Sequence, residues 1–486
     1  MVAIEGVERF CCLALSISLP GQVWFPGNET YVTSLASYFS AQQSSIQPQC
    51  IVSPKTAEDI SLIMHTISSR ISSNNTCPSD CKFAIRSGGH ASLIGASNIP
   101  DGLTIDLRAL NSIQISQDQS LVTVGAGAVW DDVYSRLHHV NRSVAGPRSA
   151  GIGVGGVAIG GGISFFGPRY GWTSDAVTDF EVALYNGSIV NANSDTNSDL
   201  LWALRGGSNN FGIVTHVTMQ AFEQRDLWGG YIFHESSTAD AQIAAFFYFN
   251  NATTYDEFAS LISTFSYSAA GGFNIVNSLE YTKAVSNPPI FRKFMDIPYF
   301  GSTLRITNMT DLLSETAKLQ PNGLREASAT LTIEPTVEAL KATVDAWNNS
   351  VSFVQDVPGI VWSLSLDPLP PAMYARHAKT NALGLTGRNA KALVIMMISA
   401  TWSSSDDDGV VESSIKALVK KVTEATRRLG ALDRYQYINY AAQWQGSINS
   451  YGRNNVNKLR KIRSKYDPAA VFTDWVPGGF KIPESE

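Results

Sequence analysis

Seven glycines fall within the twelve residues from Gly151 to Gly162, with Ile152, Val154, Val157 and Ile159 set between them. A backbone so bare of Cβ atoms can lie flat against a large planar or phosphorylated ligand. The interleaved branched residues demand burial, so the run belongs to a folded core and not to a linker. Gly153-x-Gly155-x-x-Ala158 formally fits a dinucleotide fingerprint, with Asp175 or Asp179 about 20 residues on as a ribose partner. The context argues otherwise. No clear strand–helix–strand unit brackets the run, and Gly160-Gly161-Gly162 falls where a helix should propagate.

A second glycine turn precedes it. Phe83 to Ile85 is a short apolar strand leading into Arg86-Ser87-Gly88-Gly89-His90, with Ser92 and Gly95 close behind. Paired glycines let successive N–H groups face an anion, and Arg86 would add a charged fork, which places His90 at the lip of a diphosphate site. A third stretch runs from Asp199 to Thr215. A helix ends at Gly206-Gly207, Asn209-Asn210 turn the chain, and a strand starts at Ile213, so Gly212 and Val214 can present backbone to a ligand edge.

The remaining chain reads as α+β. A helix carries Ile60, Ile63, Met64 and Ile67 at helical spacing, and strands follow at Leu103–Asp106, Ile113–Ile115 and Leu121–Val124. Beyond Leu227 the glycine loops thin out. Strands at Trp228–Phe233, Phe273–Tyr281, Ala329–Ile333, Ile360–Leu366 and Ala392–Trp402 are separated by helices at Thr238–Phe249, Val337–Val351 and Asp408–Leu429. That pattern predicts a second α+β unit whose sheet faces the ligand, with Tyr281, Trp362 and Trp402 available to line a substrate pocket. Tyr435 to Tyr440 reads as a strand, followed by a helix with Leu459, Ile462 and Tyr466 on one face.

Composition sets outer limits. The chain is 44% hydrophobic and 16% charged, which suits a core-forming protein, and its net charge of −6 argues against nucleic acid as a partner. No run of about 18 apolar residues is present to span a membrane. Cys11, Cys12, Cys50, Cys77 and Cys81 cluster at one end. Pairing Cys77 with Cys81, and Cys50 with Cys11 or Cys12, would leave one thiol free; no metal site is expected. Sequons at Asn28, Asn74, Asn141, Asn186, Asn251, Asn308 and Asn348 favour a secretory route. Glu5 and Glu8 ahead of the apolar stretch 10–19 give the wrong charge pattern for a signal peptide. A monomer or weak oligomer is expected.

Arg-Ser-Gly-Gly-His, the glycine run, Gly-Gly-x-x-Asn-Phe-Gly-Ile-Val, Tyr437-x-Asn439 and Tyr466-Asp467-Pro468 occur in an order and spacing that resemble the berberine-bridge-enzyme-like FAD-linked oxidases. The likeness runs from Pro54 to Phe472 and is nearest to fungal secondary-metabolite oxidases. It implies a two-part FAD-binding domain of PCMH type in residues 1–226, a substrate domain with an antiparallel sheet covered by helices in 227–430, and a segment 431–486 returning to the first domain. By the same likeness, FAD is carried on His90 through its 8α-methyl group, and Arg86, Ser87, Gly88, Gly89, Ser92 and Gly95 cradle the diphosphate. Gly153, Gly155, Gly156, Gly161 and Ser164 approach the cofactor, and Gly212 and Val214 contact its adenosine end. Tyr437 and Asn439 sit at the flavin ring, and Tyr437 is the expected proton-handling group.

Three departures stand out. Ser149 occupies the position of a cysteine that in many relatives bonds the flavin a second time, so one covalent link is expected. Val157 replaces a common histidine, and a carboxylate base near the C-terminal block has no clear counterpart. Ile152 flanks the position of the oxygen-access pocket. The implied activity is oxidation of a small, largely apolar metabolite (an alcohol, amine or activated C–H), with O2 giving H2O2. A flavin-retaining cyclase or binding protein, a carbohydrate oxidase and an NAD-dependent dehydrogenase are the competing readings.

Overall fold

A computed structural model describes residues 10–74, 81–250, 255–388 and 391–484. Cys77 and Asn251 lie outside the described residues. In the helix Ala57–Asn74, Ile60, Ile63, Met64 and Ile67 are fully buried, at the spacing that puts them on one face. This helix belongs to the same core as a small sheet ordered Val23–Trp24, Cys50–Val52, Leu103–Asp106, Phe83–Arg86, in which the last three strands run parallel. Beside it lies an antiparallel sheet ordered Ile113–Ile115, Leu121–Gly125, Ile213–Gln220, Val177–Ala183, Ile189–Asn193. The glycine run sits between these elements as a six-residue helix, Val154–Ile159, and is not flanked by parallel strands. Asp179 is occupied by the side chains of Asn191 and Asn193, and Asp175 by Asn381 and the Trp172 N–H. The dinucleotide reading of Gly153–Ala158 therefore fails.

The cysteines pair differently from expectation. Cys12 bonds Cys50, but Cys81 bonds Cys11 instead of Cys77. Helix Phe10–Ser18 carries Cys11 and Cys12 side by side, both fully buried, and is tied once to strand Cys50–Val52 and once to Cys81, just ahead of strand Phe83–Arg86. Neighbouring residues on a helix point in different directions, so each can reach its own partner.

The second unit is built on a nine-stranded sheet. Its main order is Gly301–Ser302, Leu227–Glu235, Gly272–Tyr281, Ala259–Ser268, Val361–Leu369, Leu393–Trp402, Arg325–Ile333, Leu432–Asp433, with Arg305–Thr307 pairing off the Leu227–Glu235 edge. The paired strands are antiparallel, and helices Ala239–Asn250, Val337–Ser350 and Asp408–Arg428 share one apolar core with them. Side chains alternate between the two faces of a strand. Leu364 and Leu366 on one strand, and Ile398 and Ala400 on the next, belong to that core. Trp362 and Trp402 share their parity and are buried under the helices, where Trp362 Nε1 donates to Ser350 Oγ at 2.9 Å and Trp402 Nε1 to Asp408 at 3.0 Å. Tyr281 also packs against this core. None of the three lines the ligand cavity, because each sits one residue out of register with the opposite face.

The C-terminal segment returns to the first core, where Tyr435, Tyr437, Leu459, Ile462 and Phe472 are buried. Tyr435 to Tyr440 is a turn-ended loop and not a strand. Helix Met309–Lys318 and the stretch from Leu369 to Ile395 also contribute to this first core, so the chain crosses between units more often than its glycine content implies. Among the described residues no helix is long and apolar enough to cross a membrane.

Candidate active site

A cavity of about 470 Å³ lies between the glycine elements and the open face of the large sheet. On one side, strand Phe83–Arg86 delivers the turn Ser87–His90. Gly89 has φ +78°, and a Cβ on Gly88 would stand 2.7 Å from the Gly153 Cα, so the two glycine stretches touch through bare backbone. Ser87 Oγ fastens them, donating to Ala126 O at 2.6 Å and accepting the Gly155 N–H at 3.1 Å. Ser87, Gly88, Gly89, His90 and Ser92 all line the cavity. So do Ser149, Ile152, Gly153, Gly155 and Gly156, and on the far side Gly212 and Val214.

Four expected cofactor contacts are placed elsewhere. Arg86 is fully buried, with its guanidinium donating to Ser34 and Ser37 and lying 3.6 Å from the Tyr38 ring centroid. Asp106 faces the same guanidinium at 3.8 Å. It locks the helix Glu29–Ala36 to the sheet and does not reach the cavity. Gly95 packs against Gly478 of the C-terminal segment. Gly161 turns the chain at φ +103° beside Leu383 and Trp172, and Ser164 Oγ accepts the Phe166 N–H at 3.2 Å.

His90 is half-buried and stacks on Phe39, with ring centroids 3.9 Å apart and planes 10° from parallel. Enclosure by the chain pushes its pKa down to about 4, which keeps the imidazole neutral. At the other end, the loop Tyr435–Tyr440 inserts Tyr437. Its hydroxyl accepts the N–H groups of Gly162 and Ile163 and the Asn439 amide, each at 3.1 Å. Burial pushes the Tyr437 pKa up to about 12 despite the nearby Arg148 charge, so the phenol stays protonated and is not the depressed group that a phenolate mechanism needs.

Sequence reasoning missed the charges around this loop. Arg148 donates to Asp367 at 2.8 Å and to the Tyr440 hydroxyl at 2.6 Å, all of them substantially buried. Glu280 is fully enclosed and accepts from Ser278, and burial raises its pKa to about 8. Asp367 Oδ2 and Glu280 Oε2 are buried with no partner. A further carboxyl, Glu326, projects into the cavity from strand Arg325–Ile333; its Oε1 is likewise buried without a partner, and burial raises its pKa to about 8. Arg148 stands three residues before the glycine run and could have been noticed there. Asp367, Glu280 and Glu326 carry no local signal, because only strand register brings them to this face.

These features fit FAD. A Cβ would fill the close approach of Gly88 to Gly153, the turn presents free N–H groups, and a neutral histidine stands beside them. Residues 48–193 match the family model described as FAD binding domain, and residues 436–474 match that described as Berberine and berberine like. The chain is 34% identical to FAD-dependent monooxygenase CTB5 of Cercospora beticola, over 99% of this chain and 93% of that protein. It is 42% identical to Oligopeptidase PhomG' of Diaporthe leptostromiformis over 94% of this chain, spanning only 36% of that relative's length. The solved glucooligosaccharide oxidase of Acremonium strictum, described with a 6-S-cysteinyl, 8α-N1-histidyl FAD, shares 20% identity and a TM-score of 0.75 over 96% of this chain and 98% of its own. Fold and site together define an FAD-binding oxidoreductase. The chain belongs to the berberine-bridge-enzyme-like family of FAD-linked oxidoreductases.

Proposed function

We propose that this protein is an oxidase that carries FAD on His90 by a single covalent link and oxidises a small metabolite, with O2 as the acceptor and H2O2 as the product. The observation that carries the reading is His90 itself, a neutral imidazole held against Phe39 at the cavity edge of a glycine turn. FAD, when bound, supplies a two-electron acceptor for a hydride leaving the substrate carbon. The residues supply the rest. Ser87, Gly88, Gly89, Ser92, Gly153, Gly155 and Gly156 give a wall of glycine and serine backbone and open space for the cofactor, while Gly212, Val214 and Phe480 border its far end. Ser149 has no thiol to form a second link.

Tyr437 and Asn439 orient the reacting end. The Tyr437 oxygen takes three N–H donors, which fix the phenol at the cavity wall. Asp367, next to Arg148 and Tyr440, holds that loop from behind through its bond to Arg148. The substrate floor sets Glu326, Ser328 and Ser399 among Ile262, Ala327 and Met397 in place of the expected aromatic rings, which supports a largely apolar substrate frame bearing an oxygen or nitrogen.

The test is acid precipitation of the purified protein with intact mass of the denatured chain. A yellow pellet carrying the mass of one FAD, lost in His90→Ala, is expected. A flavin released into the supernatant overturns the covalent link, and a chain that cannot be loaded with FAD overturns the oxidase reading. Loss of flavin colour on anaerobic addition of substrate separates net oxidation from a cyclase role. The relatives named monooxygenases favour a second reading in which oxygen enters the product; label from 18O2 in the product decides for it, and label-free product with peroxide release decides for the oxidase.

A further inference from the structure

Glu326 stands on the cavity face of strand Arg325–Ile333 with no partner for Oε1. Its backbone is fixed, since Gln42 Nε2 donates to the Glu326 carbonyl at 2.8 Å and the Glu326 N–H donates to Gln42 Oε1 at 3.1 Å. Strand parity turns the side chain to the cavity face. One residue before it, Arg325 points to the helix face and is paired with Asp408, so it does not neutralise Glu326. The other cation bordering the cavity, Arg148, is bound to Asp367 and Tyr440. Ser328 follows Glu326 on the same face, and its register partner across the sheet is Ser399; both line the cavity.

A carboxyl withdrawn from water without a partner is costly, and the cost is recovered only when a donor arrives. Hydroxyls can give or take a hydrogen bond, so Ser328 and Ser399 extend an accepting patch beside the carboxyl. A neutral alcohol would satisfy one oxygen with one bond, whereas a protonated amine brings up to three donors and a full opposite charge. The cluster at the other end of the floor sets no free positive charge against this, because Arg148 there is already paired with Asp367.

We propose that Glu326, with Ser328 and Ser399, is a recognition site for a basic nitrogen, and that the substrate is an amine-bearing metabolite bound as its cation. This rests on the cavity being the flavin-lined substrate site, and it assigns no covalent step to Glu326. The Glu326 carboxyl is protonated in the free protein at neutral pH. On binding it gives its proton to the free-base amine or, where the amine arrives as its cation, to solvent. Carboxylate and ammonium then form an ion pair, and the substrate's carbon frame extends from there over the floor toward Tyr437.

Three probes of one shape and different charge test it even before the substrate is identified: benzylamine, benzyl alcohol and benzoate, titrated by calorimetry into the protein as isolated, with its flavin absorbance recorded alongside. Benzylamine is expected to bind at least ~10-fold more tightly than benzyl alcohol, with benzoate weakest. Glu326→Gln is expected to erase the amine preference, and the double replacement Ser328→Ala, Ser399→Ala to weaken the amine a few-fold. Equal or undetectable binding of the three probes overturns the proposal. So does tightest binding of benzoate, which would make the carboxyl a neutral donor, and so does an amine preference that survives in Glu326→Gln. A colourless protein that still prefers benzylamine would sink the flavin reading while leaving the nitrogen site standing; a yellow protein indifferent to charge would do the reverse.

Discussion

The two walls of the cavity are made of different material. On the cofactor wall, Gly88, Gly153, Gly155 and Gly156 expose main chain, and the side chains that matter, Ser87 and His90, are held by fixed contacts. The floor opposite is made of side chains, Glu326, Ser328, Met397 and Ser399, projecting from a sheet whose other face is an ordinary apolar core. Backbone donors are the same whatever the residue, so the first wall suits a group that is always present. Side chains can be exchanged without disturbing the strand, so under the proposed function the second wall is the one suited to tell substrates apart. The seam between them is the loop carrying Tyr437 and Tyr440, stitched to Asp367 by Arg148.

The largest effect is expected at that seam. Arg148→Met removes the cation from a buried ion pair and leaves Asp367 uncompensated, at a cost of about 3–5 kcal/mol. A denaturant midpoint that barely moves would mean the two walls are not joined through this pair. On the cofactor wall, Gly153→Ala drives a Cβ into the Gly88 N and Ser87 Oγ and to 2.7 Å from the Gly88 Cα, so the backbone of the facing turn must shift. A loss of about 3 kcal/mol and failure to retain flavin are expected. On the floor, Ser399→Ala should keep both fold and flavin, and loss of flavin there would break the division between the walls.

The helix side of the large sheet should be silent in function. Trp362→Phe removes buried indole volume and the 2.9 Å bond to Ser350, costing about 1–2 kcal/mol in unfolding, with flavin content and probe binding unchanged. Altered binding of benzylamine in this variant would return Trp362 to the substrate site. The carboxyls of the floor and seam predict a pH trend in the flavin-free protein. Glu280 and Glu326 titrate at about 8 when folded, well above the usual carboxylate range, so the folded state binds more protons across that window. Their contribution to stability is present at low pH and is lost as pH rises through 8. The Tm should decline by a few degrees over that range, less steeply in Glu280→Gln, where the neutral amide no longer titrates.

The division of the walls also explains what could be read in advance. Glycines at 88, 89, 153, 155 and 156 announce a backbone-lined surface, since so many missing Cβ atoms have no other use in a core, and His90 stands out among them. Arg86 misled because a cation beside a glycine turn has the composition of an anion site, while its actual partners, Ser34, Ser37 and Asp106, are remote in sequence. The strand Ala259–Ser268 escaped notice because alternate positions carry Ser260, Thr264 and Ser266, and it proves to lie in mid-sheet with those hydroxyls turned away from the helices. Trp362 and Trp402 were one residue out of phase with the cavity, and Glu326 one residue in phase. Parity is absolute in a strand, but its sign is set by the neighbouring strand.

The smallest expected effect on stability is also the one that most sharpens the comparison. Gly156 sits in helix Val154–Ile159, has no atom within 4 Å of where its Cβ would stand, and has no left-handed φ to accommodate. By helix propensity alone, Gly156→Ala should leave the flavin-free protein unchanged or raise its stability by up to about 1 kcal/mol. Yet Gly156 borders the cavity on the cofactor wall. If the space above it is what the flavin occupies, the added methyl group lowers the fraction of chains carrying flavin while the apoprotein gains in Tm, two effects of opposite sign from one atom. Thermal melts of flavin-free protein alongside flavin content of the loaded form separate them. Unchanged flavin content would show that the glycine is empty surface and would confine the cofactor wall to the Gly88–Gly153 contact; a fall in both would mean that the helix is strained by more than its missing Cβ reveals.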